Sequence, residues 1–184
     1  MIQSIWGNRF ARWEALNVEH TAGGVLLLWD KRVLELTDSK VDTFSVSCCW
    51  KSIIDGFEWV GTGVYGPTRD DMRSGLWDEL RDVCLQWSIL WCIFGDFNVV
   101  HFPSKPPGCN RISPSMVDFS DFIERQNLVD LPLMGVLICG AMGLPPHPCL
   151  RLIEYWFLRS GRSSTLMWFR SYCLNQYQIT TLFC

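Results

Sequence analysis

Apolar positions along this chain follow two rhythms up to about Gly135, and neither rhythm beyond it. From Gly23, "GGVLLLWDKRVLEL" predicts a strand, a turn at Asp30–Lys31 and a second strand. "TFSVSCCW" alternates well enough for another, and "FEWVGTGVYGP" for one more, stopped by Pro67. Strand after strand with short polar links implies an antiparallel or mixed sheet. In "TRDDMRSGLWDELRDVCLQW" the period changes. Leu76, Leu80, Val83, Cys84 and Trp87 fall on one stripe of a helix, with Asp70 and Asp71 near its positive end and Gly75 as a weak spot inside. "WCIFGDFNVV", Trp91 to Val100, then predicts a buried strand that ends on polar residues. A Pro- and Gly-rich loop, "FPSKPPGCNRIS", leads to Ser113–Pro114, a fitting N-cap and first helical residue. Met116, Phe119, Phe122 and Ile123 mark one face of the helix that follows, and "LVDLPLMG" a short extended piece.

Beyond Gly135 aromatics and cysteines abound without sustained period, and the only acid, Glu154, stands against four arginines. Such a stretch fits neither a solvated surface nor a linker. The whole chain, 184 residues with 48% hydrophobic and 19% charged, is long enough for one domain with a real core, and its composition argues against wholesale disorder. Ten Trp and eleven Phe have to be buried for the most part. A net charge of −3 leaves no overall basic footprint for nucleic acid, although a local patch can coexist with an acidic total. The nine cysteines are odd in number and none has CxxC spacing, so neither a zinc site nor a thioredoxin motif is indicated, and reduced intracellular thiols are expected. "MIQSIWGNRFARW" has the basic and apolar mix of a transit peptide, but Glu14 and Glu19 follow and Ser is sparse. "VCLQWSILWCIFG" falls short of the roughly 18–20 apolar residues of a membrane span, so no membrane association is expected.

Strand alternation places Asp96 and Asn98 on one face and Phe97 on the other. A carboxylate beside an amide at a strand exit suits hydrolysis: the first orients or deprotonates a water, the second donates to a phosphoryl oxygen or holds the first in place. The same pair also suits a plain Asx-turn that closes the strand. Gly61, Gly63 and Gly66 have GxGxxG spacing, but Pro67 and "TRDD" delay the helix that a dinucleotide site needs at once. Tyr65, at a strand end, either aims its hydroxyl at a phosphate or is an amphipathic core residue with a wet tip.

"GGVLLLWD", "WVGTGVYGP", a helix with "LWDEL", "WCIFGDFNVV" and "SPSMVDFSDFIERQNLVDLPLMG" follow one another in an order that resembles the endonuclease domain of plant non-LTR (LINE-type) retrotransposon polyproteins. The resemblance spans about Ser4 to Gly135. That domain belongs to the exonuclease–endonuclease–phosphatase superfamily. The resemblance implies an α/β (α+β) fold, a partial two-sheet DNase I-like sandwich with flanking helices. It also implies a Mg²⁺-dependent nuclease that nicks DNA, working inside the cell and in the nucleus. Carried over, phosphate contact falls on Tyr65, and water activation and phosphorus stabilisation on Asp96 and Asn98. Two alternatives stand beside it: a phosphatase or phosphodiesterase acting on small phosphate esters, and a non-catalytic interaction remnant.

The chain departs from the family at both ends. The family's Asn and its metal-binding Glu in a "QET"-type motif lie upstream of where this chain begins, and neither Glu14 nor Glu19 sits in such a motif. An "RIDR"-type strand and an "SDH" motif are absent, and none of His20, His101 and His147 follows a Ser–Asp pair. Residues 1–135 are therefore expected to form an incomplete domain, and residues 136–184 an aberrant tail. Joining the third base of each codon to the first two of the next, with synonymous codons allowed, turns "LICGAMG" into "YMWSNG". The same offset turns "RLIEYWFL" into "IDRVLVS", and "NQYQITTLF" with Cys184 into "PVSDHYPIL". Family motifs in the right order under one offset point to an out-of-frame tail. The expected consequences are little or no activity and uncovered sheet edges.

Overall fold

Strand β2 (Gly24–Asp30) sets the layering, because Val25, Leu27 and Trp29 enter one core while Leu26 and Leu28 face the other way. The computed structural model describes residues 9–17, 24–99, 113–130, 154–158 and 180–183. These build two sheets. In the smaller, β1 (Ala11–Asn17) and β9 (Thr180–Phe183) flank β2, all antiparallel. The larger contains β3 (Leu34–Val41), β4 (Ser45–Ser52), β5 (Glu58–Tyr65), β6 (Leu90–Asp96), β7 (Leu128–Asp130) and β8 (Glu154–Leu158), in the order β3-β4-β5-β6-β8-β7. Its one parallel pair is β5–β6. A parallel pair needs a crossover, which here is a 3-10 turn, Asp70–Met72, and helix α1, Arg73–Gln86. Helix α2 spans Pro114–Arg125.

Between the sheets, Val25, Leu27 and Trp29 meet Val46, Cys48, Trp50, Trp59, Cys92 and Phe94. Trp50 lies edge-on to Trp29 at 5.6 Å and tilted against Trp59 at 4.8 Å. A Cβ on Gly61 would run into the Trp50 and Trp59 rings, and one on Gly63 into Val25 and Leu27. The glycines of "GTGVYG" thus make room for bulky neighbours, in keeping with the rejection of a dinucleotide loop.

On its other face the larger sheet carries the helices. Leu76, Leu80 and Val83 of α1 and Phe119, Phe122 and Ile123 of α2 pack on Val60, Val64, Trp91 and Ile93. The expected stripe of α1 is present, with Cys84 and Trp87 at its partly buried margin. Asp70 and Asp71 sit in the 3-10 turn just before α1. The Ser113 Oγ accepts from the Met116 N–H at 3.3 Å, which confirms the predicted cap, and Pro114 opens the helix.

The α/β two-sheet sandwich with flanking helices is as anticipated; two elements are not. Residues 11–17, for which no strand was predicted, pair with β2 over its whole length. The tail was expected to leave the sheets uncovered, yet β8 lies between β6 and β7, and β9 lies beside β2. The reason is local: "EYWFL" and "TTLF" are short and rich in aromatic and β-branched residues, and such residues extend easily along an open sheet edge. Residues 1–8, the loop over residues 100–112, all three histidines, Glu19 and the boundary at Gly135 lie outside the described residues. Among the described residues no helix is long and apolar enough to cross a membrane.

Candidate active site

Because β5 and β6 run parallel, both expose their carboxyl ends on the same rim, where open α/β sheets bind ligands. The register places Tyr65 directly beside Asp96 and Val64 beside Gly95. Gly95 has φ +146, and a Cβ there would collide with the Val64 backbone, so only glycine permits this approach. One residue on, the Gly66 N–H donates to the Asp96 carbonyl at 2.6 Å, and a Cβ on Gly66 would strike the Phe97 backbone.

Asn98 adopts a left-handed φ of +51, and its own N–H donates to Asp96 Oδ1 at 2.8 Å. This is the Asx-turn anticipated as the alternative for the pair. Its side-chain Nδ2 donates to the Gly66 carbonyl at 2.7 Å, which ties the turn back to the strand of Tyr65. All three candidate residues are thus brought to one rim through Gly66. The turn and a reactive role are compatible: Asn98 keeps a second amide hydrogen and its carbonyl oxygen.

Tyr65 is partly buried, with its ring packed against the inter-sheet core. Asp96 is half-buried, and burial pushes its carboxyl above the usual carboxylate range, opposed by the bond from the Asn98 N–H. A carboxyl raised in this way is a better proton acceptor when ionised than an exposed one. Phe97 points to the helix side, as alternation predicted, and is 2% exposed. The sequence reading missed Gly95 and Gly66 as parts of the site. A glycine at each strand exit was the available signal.

The arrangement provides one carboxylate, one amide and one phenol. Among the described residues no group of three or more His, Cys, Asp or Glu is placed to hold a metal ion. Mg²⁺ normally binds through one or two carboxylates with waters and substrate phosphates, and Asp96 alone among the three candidates is of that type. Among the described residues Asp96 is thus the one candidate ligand for such a cation, without a second carboxylate beside it.

The fold is of the DNase I-like α/β class. Solved structures with this architecture include the catalytic domain of human nocturnin with bound sulfate, at TM-score 0.52 and 16% identity, over 86% of this chain and 64% of that one. An endonuclease/exonuclease/phosphatase family protein from Bacteroides thetaiotaomicron matches at TM-score 0.57 and 10% identity, over 82% of this chain and 62% of that one. A mannosyl-6-phosphatase from the same organism matches at TM-score 0.53 and 10% identity, over 83% and 64%. The chain thus spans less than two thirds of the length of these structures. No family model matches the sequence, and no protein of curated function matches it.

Proposed function

We propose that Tyr65, Asp96 and Asn98 are the surviving part of a phosphoester-hydrolysing centre, descended from the Mg²⁺-dependent DNA endonuclease of a plant LINE-type retrotransposon. The observation that carries this reading is the β5–β6 register, with Tyr65 beside Asp96 and Asn98 bonded across to Gly66. In the ancestral reaction Asp96 orients and deprotonates the attacking water. Asn98 donates its free amide hydrogen to the phosphoryl oxygen, and Tyr65 holds the phosphate from the β5 side. DNA is the ancestral substrate, and the nucleus the compartment where such a reaction belongs.

As it stands the chain has little or no activity, because one carboxylate does not replace a charge-bearing cation site; losing one such group costs orders of magnitude in rate. Plasmid nicking with Mg²⁺, comparing wild type with Asp96→Ala, tests this. No nicking by a folded sample supports the inert remnant. Metal-dependent nicking abolished by the substitution refutes inactivity and keeps the nuclease. The acidic net charge of −3 favours one second reading, a phosphatase for small phosphate esters. Release of phosphate from a sugar phosphate without any nicking would select it.

The tail after about Gly135 is read as translated out of frame. The coding DNA across the codons for Met134 to Ile138 decides it: an uninterrupted match of the present frame to other proteins rules the shift out.

A further inference from the structure

The segment "LWDEL", Leu76–Leu80 of α1, belongs to the motif order that carries the resemblance, yet no side chain of it enters the site. Leu76 and Leu80, both fully buried, seat the helix on the sheet. They account for neither Trp77 nor Glu79.

Glu79 reaches the turn between β3 and β4. Its carboxylate accepts the Thr43 N–H at 3.0 Å, the Phe44 N–H at 3.1 and 3.2 Å, and the Ser45 hydroxyl at 2.6 Å. Phe44 in turn accepts the Tyr65 N–H at its carbonyl, 2.9 Å away. A charged acceptor therefore holds the turn that holds Tyr65. Burial pushes the Glu79 carboxyl up, with Asp42 adding to the shift, so the helix carries this group at a cost that a plain apolar contact would avoid.

Trp77 reaches the opposite half of the site. Its ring stacks on Phe97 at 6.4 Å and 19°, and on Phe119 at 5.4 Å and 15°, while Phe119 closes on Phe97 at 5.0 Å. Phe97 is the residue between Asp96 and Asn98. Its backbone lies against Gly66, so the seat of its ring and the position of the turn are held at the same residue.

We propose that Leu76–Leu80 is a two-armed brace that sets the spacing between the halves of the site: Glu79 positions Tyr65 through the Thr43–Ser45 turn, and Trp77 positions Asp96 and Asn98 through Phe97. Reacting groups lose rate steeply when misplaced by even an ångström, so a spacer of this kind has functional weight. The inference rests on reading these three residues as a phosphoester site, but the geometry it asserts is measurable without substrate.

Native-state amide exchange by NMR on the full chain tests it, with Glu79→Ala, Glu79→Gln, Trp77→Leu and Val83→Ala. Val83 is buried on the same helix and serves as the control for general loosening. Glu79→Ala is expected to speed exchange of the Tyr65 N–H about tenfold or more beyond the control, the loss of charge-assisted hydrogen bonds. Glu79→Gln, which keeps one acceptor oxygen, restores part of that protection. Trp77→Leu is expected to speed the Gly66 and Asn98 amides instead and to spare Tyr65. Should Trp77→Leu not fold, Trp77→Phe is measured in its place, with the same pattern and a smaller effect. Equal acceleration at all three amides in every variant, or none beyond Val83→Ala, overturns the brace. A split pattern keeps the brace whatever the activity; nicking that Asp96→Ala leaves unchanged removes the site reading without touching the brace, and uniform exchange removes the brace alone.

Discussion

Trp50 and Trp91 lie two strands apart in the same sheet, both almost wholly buried, yet only one has a partner for its indole N–H. Trp91 Nε1 donates to Thr62 Oγ1 at 2.8 Å, and that hydroxyl also meets Ser47 Oγ at 2.8 Å. The indole nitrogen of Trp50 has no hydrogen bond. Its ring is held by Trp29, Trp59 and the space left by Gly61. The face between the sheets is therefore secured by area and shape, which slide readily. The face under the helices adds directional bonds, which do not. The second face reaches the candidate site through Phe97 and Glu79, and the first through the ring of Tyr65.

The largest effect is expected where the two strands of the site share backbone. Gly95→Ala forces a Cβ into the Val64 backbone at a φ that disfavours it, and is expected to cost about 3–5 kcal/mol in urea unfolding. A loss under about 1 kcal/mol would mean the strands do not approach as described. Next comes Thr62→Val, isosteric but without the hydroxyl that Trp91 and Ser47 share. About 1–3 kcal/mol is expected, the penalty for an orphaned buried donor. A neutral result would erase the contrast between the faces.

A finer comparison sets Trp91→Phe against Trp50→Phe. Lost volume is the same, but Trp91→Phe breaks a hydrogen bond while Trp50→Phe removes an orphaned donor, so Trp91→Phe should be worse by about 1 kcal/mol or more. Equal losses would show that the bond contributes nothing net. The smallest effect is electrostatic. A carboxyl raised in the folded state binds its proton more tightly there than in the unfolded chain. Its contribution favours folding below the unfolded value and is lost as pH rises through the folded one. Asp96 is raised by burial, so Asp96→Asn should gain stability relative to wild type as pH climbs from the usual carboxylate range to neutrality. A difference that stays flat with pH, or runs the other way, removes burial as the cause.

Where local pattern and tertiary packing agree, the elements were legible before any coordinates. "GGVLLLWDKRVLEL" became β2, a turn and β3, and Met116, Phe119, Phe122 and Ile123 all turned inward on α2. Strand β1 was obscured because Trp13 is exposed and Arg12 and Glu14 interrupt its apolar residues, so its place depends on pairing with β2 and not on its own rhythm. For the site, alternation sufficed to put Phe97 opposite Asp96, whereas Tyr65 was joined to them only by the resemblance in motif order. It could not reveal that Asn98 would turn left-handed and bond to Gly66, since that bond joins residues far apart in the chain. Glu79 was invisible for the same reason. A glutamate on a helix is read as solvated unless the turn it grips is already in place.

The parallel pairing of Tyr65 with Asp96 also bears on how such a molecule folds. Hairpins close early, because their partners are sequence neighbours, whereas β6 cannot find β5 until the intervening helix has docked and the entropy of that long excursion has been spent. The chain that follows Asn98 then completes the packing: Phe119 closes on the Phe97 ring, and β8 pairs with the free side of β6. The rim that bears Tyr65 and Asp96 is thus built from both sides, first by β5 and then by strands supplied later in the chain.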